Sequence, residues 1–331
     1  MCRRSLDPRL ASGDALASYP TELMRDTAPH APQVHVAPRD DGWLGDAVRA
    51  GGGELVAPGD ASVLVWAAPA DPAGLADTLR ANPSIEWVQL PWAGVEPYRD
   101  VLDANRRWTC GKGVYAEPVA ELALTLLLGG LRGVAHYARV DRWTGERGTS
   151  LFDGSVTLVG GGGIAEALLR LLAPWRARVT VVRRHAAPMP GAAAVVGPDD
   201  LLAALREADG VVLALPLLPD TVGIIGKREL SAMRSHAWLV NVARGGHVDP
   251  DALVDALREN AIGGAGLDVT DPEPLPPGHP LWSLPNCVIT PHVGNTSVMA
   301  KPLLAARITE NVRRYAAGET LLGPVDPALG Y

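Results

Sequence analysis

Val156-Thr-Leu-Val159-Gly160-Gly161-Gly162-Gly163-Ile164-Ala165 runs from an apolar strand through a glycine turn into a helix. It fits the pattern G-x-G-x-x-A as Gly160, Gly162 and Ala165. Gly160 permits a tight turn, and Gly162 lets the backbone come close to a pyrophosphate. The small Ala165 allows the helix to pack closely on the strand. Gly163 and Ile164 open the helix, whose N-terminus supplies oriented N–H donors. A bare glycine run is more often just a flexible loop. This one lies between a strand and a helix and opens a repeating α/β series, so it predicts a dinucleotide site.

Downstream the series continues with strands at Val179–Val182, Gly210–Leu215, Trp238–Val242, Gly264–Val269 and Cys287–Thr290. Helices are expected at Ile164–Ala173, Asp199–Glu207, Lys227–Met233 and Pro250–Asn260. Six strands with five connections is the length of a complete dinucleotide-binding sheet. Upstream, strands at Gln33–Ala37, Ser62–Trp66 and Ile85–Leu90 alternate with helices at Trp43–Ala50 and Pro72–Ala81. That alternation again predicts a parallel sheet. A long helical stretch from Val119 to about Val140 joins the two series. Its first half is apolar on nearly every face, which predicts burial on all sides or a subunit interface. A last helix covers about Met299 to Ala317. Residues 1–32 are rich in Ala, Pro and charge and read as an N-terminal extension.

The bulk numbers agree with this picture. A chain of 331 residues suggests two domains. With one Phe against nine Trp, its core must come mainly from Ala, Val and Leu. The net charge of −7 gives no electrostatic reason to expect nucleic acid or a membrane as partner. Three scattered cysteines without a C-x-x-C predict neither a disulfide framework nor a metal site. The stretch Val119–Leu131 is too short for a membrane span and carries Glu121. Arg3 and Arg4 precede no apolar segment, so the expected location is cytoplasmic.

In NAD-binding sheets an acidic residue about 20 positions after the fingerprint receives the adenosine ribose. Here the strand Val179–Val182 ends in Arg183-Arg184-His185. Guanidinium groups suit a 2′-phosphate, so NADP(H) is expected ahead of NAD(H).

Three residues follow later strands, at the edge where open α/β sheets bind ligands. They are Arg244 in Asn241-Val-Ala-Arg244-Gly245, Glu273 in Asp268-Val-Thr-Asp-Pro-Glu273-Pro274, and His292 in Thr290-Pro-His292. Singly, each has a duller reading as a surface arginine, a solvated acid or an incidental histidine. As an ordered trio these segments closely resemble the D-isomer-specific 2-hydroxyacid dehydrogenases, and especially glyoxylate/hydroxypyruvate reductases. The resemblance runs from about Val34 to the C-terminus. It includes Pro91-Trp-Ala-Gly-Val95, Val119-Ala-Glu-Leu122 and Leu281-Trp-Ser-Leu-Pro-Asn286.

The resemblance implies two Rossmann-like domains with parallel sheets and a cleft between them. Residues 33–117 and 292–331 would form the substrate domain, and 118–291 the cofactor domain. It also implies NAD(P)-dependent interconversion of a D-2-hydroxy acid and its 2-oxo acid. His292 would be the acid/base, Glu273 its partner, and Arg244 the anchor of the substrate carboxylate. Backbone amides of Ala93, Gly94 and Val95 would share that carboxylate. Asp268 would meet the nicotinamide carboxamide, with Ala243 and Gly294 in backbone contact with the ring. The residue types suit the chemistry. An imidazolium can protonate a developing alkoxide, a carboxylate orients the imidazole, and an arginine fork holds a carboxylate bidentately.

His279 lies in a proline-rich loop and is expected to be a bystander. Leu218 stands where the family commonly has Thr or Asn. The pocket wall is expected near Trp66, Trp92 and Tyr98, and a homodimer through Val119–Leu131. Two other readings share this fold: a dinucleotide-sensing corepressor, and a phosphoglycerate dehydrogenase without its regulatory domain, for which the chain leaves no room.

Overall fold

The structure is a computed structural model, described for residues 31–329. Residues 1–30 of the expected extension lie outside the described residues. Two parallel sheets dominate. The first contains β1 (Gln33–Ala37), β2 (Glu54–Leu55), β3 (Val63–Trp66), β4 (Trp87–Gln89) and β5 (Arg107–Thr109), in the order β2-β1-β3-β4-β5. Helices α1 (Trp43–Ala50) and α2 (Pro72–Ala81) cross between its strands. Asp71 caps α2 by accepting from the Gly74 amide, and Pro72 takes the first helical position, where a missing N–H costs nothing.

Helix α3 (Ala116–Leu131) and the single turn α4 (Val134–Tyr137) follow. The expected helix to Val140 therefore ends early. Gly133 adopts φ +66°, a left-handed conformation that breaks the ladder. Gly130 fits α3 to the second sheet, since a Cβ there would stand 2.1 Å from the Trp238 ring. Burial is also one-sided. Ala120, Ala123, Leu127 and Leu131 are in the core, while Leu122, Leu124 and Leu128 are only partly covered.

The second sheet holds β6 (Ser155–Val159), β7 (Arg178–Val182), β8 (Ala194–Val196), β9 (Gly210–Leu213), β10 (Trp238–Asn241), β11 (Gly264–Leu267) and β12 (Cys287–Ile289). Its order is β12-β11-β10-β9-β6-β7-β8, one strand more than expected. The order reverses between β6 and β9, the switch point at which doubly wound sheets bind ligands. Helices α5 (Gly163–Leu172), α6 (Leu201–Glu207), α7 (Lys227–Ala232) and α8 (Pro250–Arg258) cover its faces. Both faces are packed, so its strands read as continuous apolar runs.

The last helix, α9 (Ser297–Ala316), returns to the first sheet. Its Leu304, Ile308 and Val312 join Val34, Val63 and Trp87 in one core. A satisfied polar network pins it. Buried Asn311 donates to Gln89 Oε1 at 2.9 Å, and Thr109 donates to the same oxygen at 2.8 Å. Among the described residues no helix is long and apolar enough to cross a membrane.

Candidate active site

The glycine turn lies at the switch point. Gly160 has φ +112°, and a Cβ there would come 2.1 Å from the Ala214 carbonyl oxygen just beyond β9. Gly162 has φ −93°, and a Cβ there would meet nothing within 4 Å, so the space before it is open. Helix α5 has no side-chain N-cap, and the Glu166 amide donates to the Gly162 carbonyl. The preceding amides at Gly163, Ile164 and Ala165 have no helical acceptor and add to the positive end of the dipole. A pyrophosphate fits this cradle by charge, donors and space. Ala165 is fully buried between helix and sheet.

Arg183 follows β7 and lies across Gly161, where a Cβ would stand 2.6 Å from the Arg183 Cδ. Exposed Arg184 pairs with Asp220 at 2.7 Å. Exposed pairs of this kind contribute little and give way readily to a phosphate.

Arg244, Asp268 and His292 come from the ends of the neighbouring strands β10, β11 and β12. Asp268 is 3% exposed. Its Oδ1 accepts from the Thr290 hydroxyl at 2.6 Å and the Val293 amide at 2.8 Å. Its Oδ2 accepts from the Gly294 amide at 2.8 Å. The carboxylate thus clamps the loop that carries His292, and Oδ2 keeps a free acceptor position suited to a carboxamide. His292 itself has φ +53°, a conformation that costs a non-glycine residue about 1–2 kcal/mol. Its amide donates to the Asp268 carbonyl at 2.8 Å, which helps hold it there.

The His292 side chain is half exposed, and its Nδ1 lies 2.6 Å from Glu273 Oε1. An ionised carboxylate only accepts, so Nδ1 carries the hydrogen and Nε2 is left for a ligand.

The Arg244 peptide is fixed by two buried side chains. Asn241 Nδ2 donates to the Arg244 carbonyl at 2.8 Å, and Asn241 Oδ1 accepts from the Ala243 amide at 3.0 Å. His247 is 0% exposed. Its Nε2 faces the Pro216 carbonyl at 3.2 Å, and its Nδ1 lies 3.2 Å from the Arg244 amide and 2.9 Å from the Arg244 carbonyl. Burial pushes this imidazole below the ordinary histidine range, against the hydrogen bonds to Pro216 and Arg244. The guanidinium donates from Nη1 to the Ala243 carbonyl at 2.7 Å. Its Nη2 lies 3.5 Å from Glu96 Oε2. A Cβ on Gly94 would stand 2.0 Å from that Nη2, so a side chain there would displace the guanidinium from this position. The loop after β4 and the loop after β10 therefore meet at Arg244.

Glu96, Asn241 and His247 went unread in the sequence. Asn241 lies within the Arg244 segment, but nothing in the sequence marks it as a brace. Two of the residues near which the pocket wall is expected are themselves core residues. Tyr98 is buried and donates to the Ala68 and Pro69 carbonyls, and buried Trp66 donates to the Ala68 carbonyl. Trp92, 42% exposed, keeps an open face. His279 accepts from the Leu281 amide and caps a short 3-10 turn, a local role. Cys110 and Cys287 are buried and their thiols are pushed up by desolvation, Cys287 to about 12; Cys2 lies outside the described residues. No group of three His, Cys, Asp or Glu side chains suited to a metal occurs among the described residues.

Comparison with known proteins decides the family. The family model described as D-isomer specific 2-hydroxyacid dehydrogenase, NAD binding domain, matches residues 123–294. The chain belongs to this family. The dehydrogenase is 38% identical over 256 residues to an uncharacterized protein from the proB 3′ region of Corynebacterium melassecola, covering 75% of this chain and 84% of that one. Among solved structures it resembles a D-isomer specific 2-hydroxyacid dehydrogenase from Xanthobacter autotrophicus Py2 in complex with NADPH and MES. That match has 27% identity and a TM-score of 0.79, over 91% of this chain and all of the other. It also resembles an NADPH-dependent glyoxylate/hydroxypyruvate reductase from Sinorhizobium meliloti in complex with NADP and malonate. Here identity is 26% and the TM-score 0.70, over 91% and 98% of the two chains. The protein is thus an oxidoreductase of CH–OH donors that binds a nicotinamide dinucleotide.

Proposed function

We propose that this dehydrogenase reduces a small 2-oxo acid to its D-2-hydroxy acid, and reverses that reaction, between the loops of the two sheets. The observation that carries the reading is the 2.6 Å His292–Glu273 pair, two strand ends along from Arg244. A nicotinamide dinucleotide held at the glycine turn and Asp268 would supply or accept the hydride at the substrate C2. Arg244, resting on Gly94, holds the substrate carboxylate together with amides of Ala93, Gly94 and Val95. The Nε2 of His292 gives a proton to the C2 oxygen during reduction and takes it back during oxidation. Glu273 holds the ring so that Nε2 faces the substrate.

In this proposal Gly160, Gly162, Gly163, Ile164 and Ala165 hold the pyrophosphate, and Asp268, Ala243 and Gly294 the nicotinamide. Arg183, with Arg184, favours NADP(H) over NAD(H) by receiving the 2′-phosphate. Residues 118–291 would serve the cofactor, and 33–117 with 292–331 the substrate. The family resemblance and the partly covered Leu122, Leu124 and Leu128 of α3 favour a homodimer. So does the fully exposed Trp143 on the irregular segment that follows α4.

The test is steady-state turnover of glyoxylate, hydroxypyruvate, pyruvate and bulkier 2-oxo acids with NADPH and NADH. Reduction of at least one small 2-oxo acid, faster with NADPH, is expected. Dinucleotide binding without turnover of any of them would leave a sensor and refute the enzyme reading.

A further inference from the structure

Arg244 and His292, the two nitrogen-bearing side chains of the proposed reaction, each already face a carboxylate. Glu96 lies 3.5 Å from Arg244, and Glu273 lies 2.6 Å from His292. The two pairs differ in kind. Glu273 makes a short hydrogen bond, whereas Glu96 makes a looser ion pair between side chains about one-third exposed. A loose, half-solvated pair is readily exchanged for a bidentate carboxylate.

Glu96 cannot move far once displaced. It begins the 3-10 turn Glu96–Tyr98, and that turn is anchored by Tyr98, fully buried and bonded through its hydroxyl to two carbonyls. The carboxylate therefore stays within side-chain reach of the bound substrate. His247 adds no compensating charge, because its burial favours the neutral ring.

We infer that Glu96 is a specificity residue that restricts the enzyme to 2-oxo acids carrying a single carboxylate. It keeps the Arg244 guanidinium oriented over Gly94 until one substrate carboxylate replaces it, and it repels a second anionic group on the same substrate. The inference rests on the proposed role of Arg244 as substrate anchor.

The experiment compares 2-oxopentanoate with 2-oxoglutarate, which share a five-carbon chain and differ in the distal carboxylate. The parent is expected to prefer 2-oxopentanoate in kcat/KM. Glu96→Gln should narrow that preference about tenfold, mainly through a lower KM for 2-oxoglutarate with kcat less affected. Glu96→Asp, which keeps the charge, should restore the parental preference. Parent enzyme alone gives a second readout: raising salt from 0.05 to 0.5 M should shrink the preference by screening the repulsion. An unchanged ratio in Glu96→Gln, or a parental ratio insensitive to salt, would overturn the inference and leave the dehydrogenase reading intact. A parent that reduced no 2-oxo acid of either kind would instead sink both.

Discussion

Adding one methyl group at two neighbouring glycines should separate what the turn does for folding from what it does for the dinucleotide. At Gly162 the backbone has φ −93°, which alanine adopts freely, and the new Cβ meets no protein atom within 4 Å. Alanine is a poorer N-cap than glycine, at a cost of a few tenths of a kcal/mol to about 1 kcal/mol. The methyl would nevertheless occupy the space before the α5 amides, where a pyrophosphate oxygen must come within hydrogen-bonding distance. Losing one such charge-assisted bond costs roughly 1.5–3 kcal/mol. Gly162→Ala should therefore melt near the parent yet bind NADPH about 10–100-fold more weakly.

Gly160→Ala should behave in the opposite way. Its φ of +112° costs a side chain about 1–3 kcal/mol, and the Cβ must also push back the Ala214 backbone carbonyl, 2.1 Å away. A loss of at least about 3 kcal/mol of folding stability is expected. Urea denaturation of the dinucleotide-free proteins, followed by NADPH titration calorimetry, reads both quantities. Parental NADPH affinity in Gly162→Ala, or parental stability in Gly160→Ala, would refute the reasoning.

Three further outcomes follow from the same geometry. Arg183→Asp should lower kcat/KM for NADPH and raise it for NADH; a parent already more efficient with NADH would contradict the cofactor assignment. His247 is buried with its imidazole held below the usual histidine range, so its contribution to stability is present above about pH 6.5 and is lost as pH falls through the depressed folded value. His247→Gln should accordingly lose less stability than the parent between about pH 7 and 5 in urea melts, and an equal slope would remove the argument. In sedimentation velocity the protein should run as a dimer, with Trp143→Ser weakening the association; a concentration-independent monomer would exclude it.

The legible part of the fold was the part buried on both faces. Strands such as Val156–Val159 and Trp238–Asn241 read as apolar runs because helices cover both sides of their sheet. The missed strands are short. β2 has two residues, and β5 and β8 have three each, with Arg107 and Ala194 exposed at their starts. Too few residues alternate there for a period to be read. The end of α3 was missed because helix-compatible residues continue past Leu131 to Val140 while the backbone, through Gly133 in its left-handed conformation, does not continue the helix. For the site, the strand-end rule pointed to Arg244, Glu273 and His292, since the ligand edge of a parallel sheet is fixed by chain direction, while Asp268 was legible only through the family resemblance. The rule could not find Asn241 and His247, which act on the Arg244 backbone, or Glu96, which reaches Arg244 from the other sheet.

The most direct test is the single-turnover reduction of glyoxylate or hydroxypyruvate by saturating NADPH-bound enzyme, comparing the parent with His292→Ala. If the Nε2 of His292 delivers the proton, the variant should bind NADPH as the parent does and lose roughly 10²–10⁴-fold in rate. Near-parental turnover in His292→Ala would contradict the account.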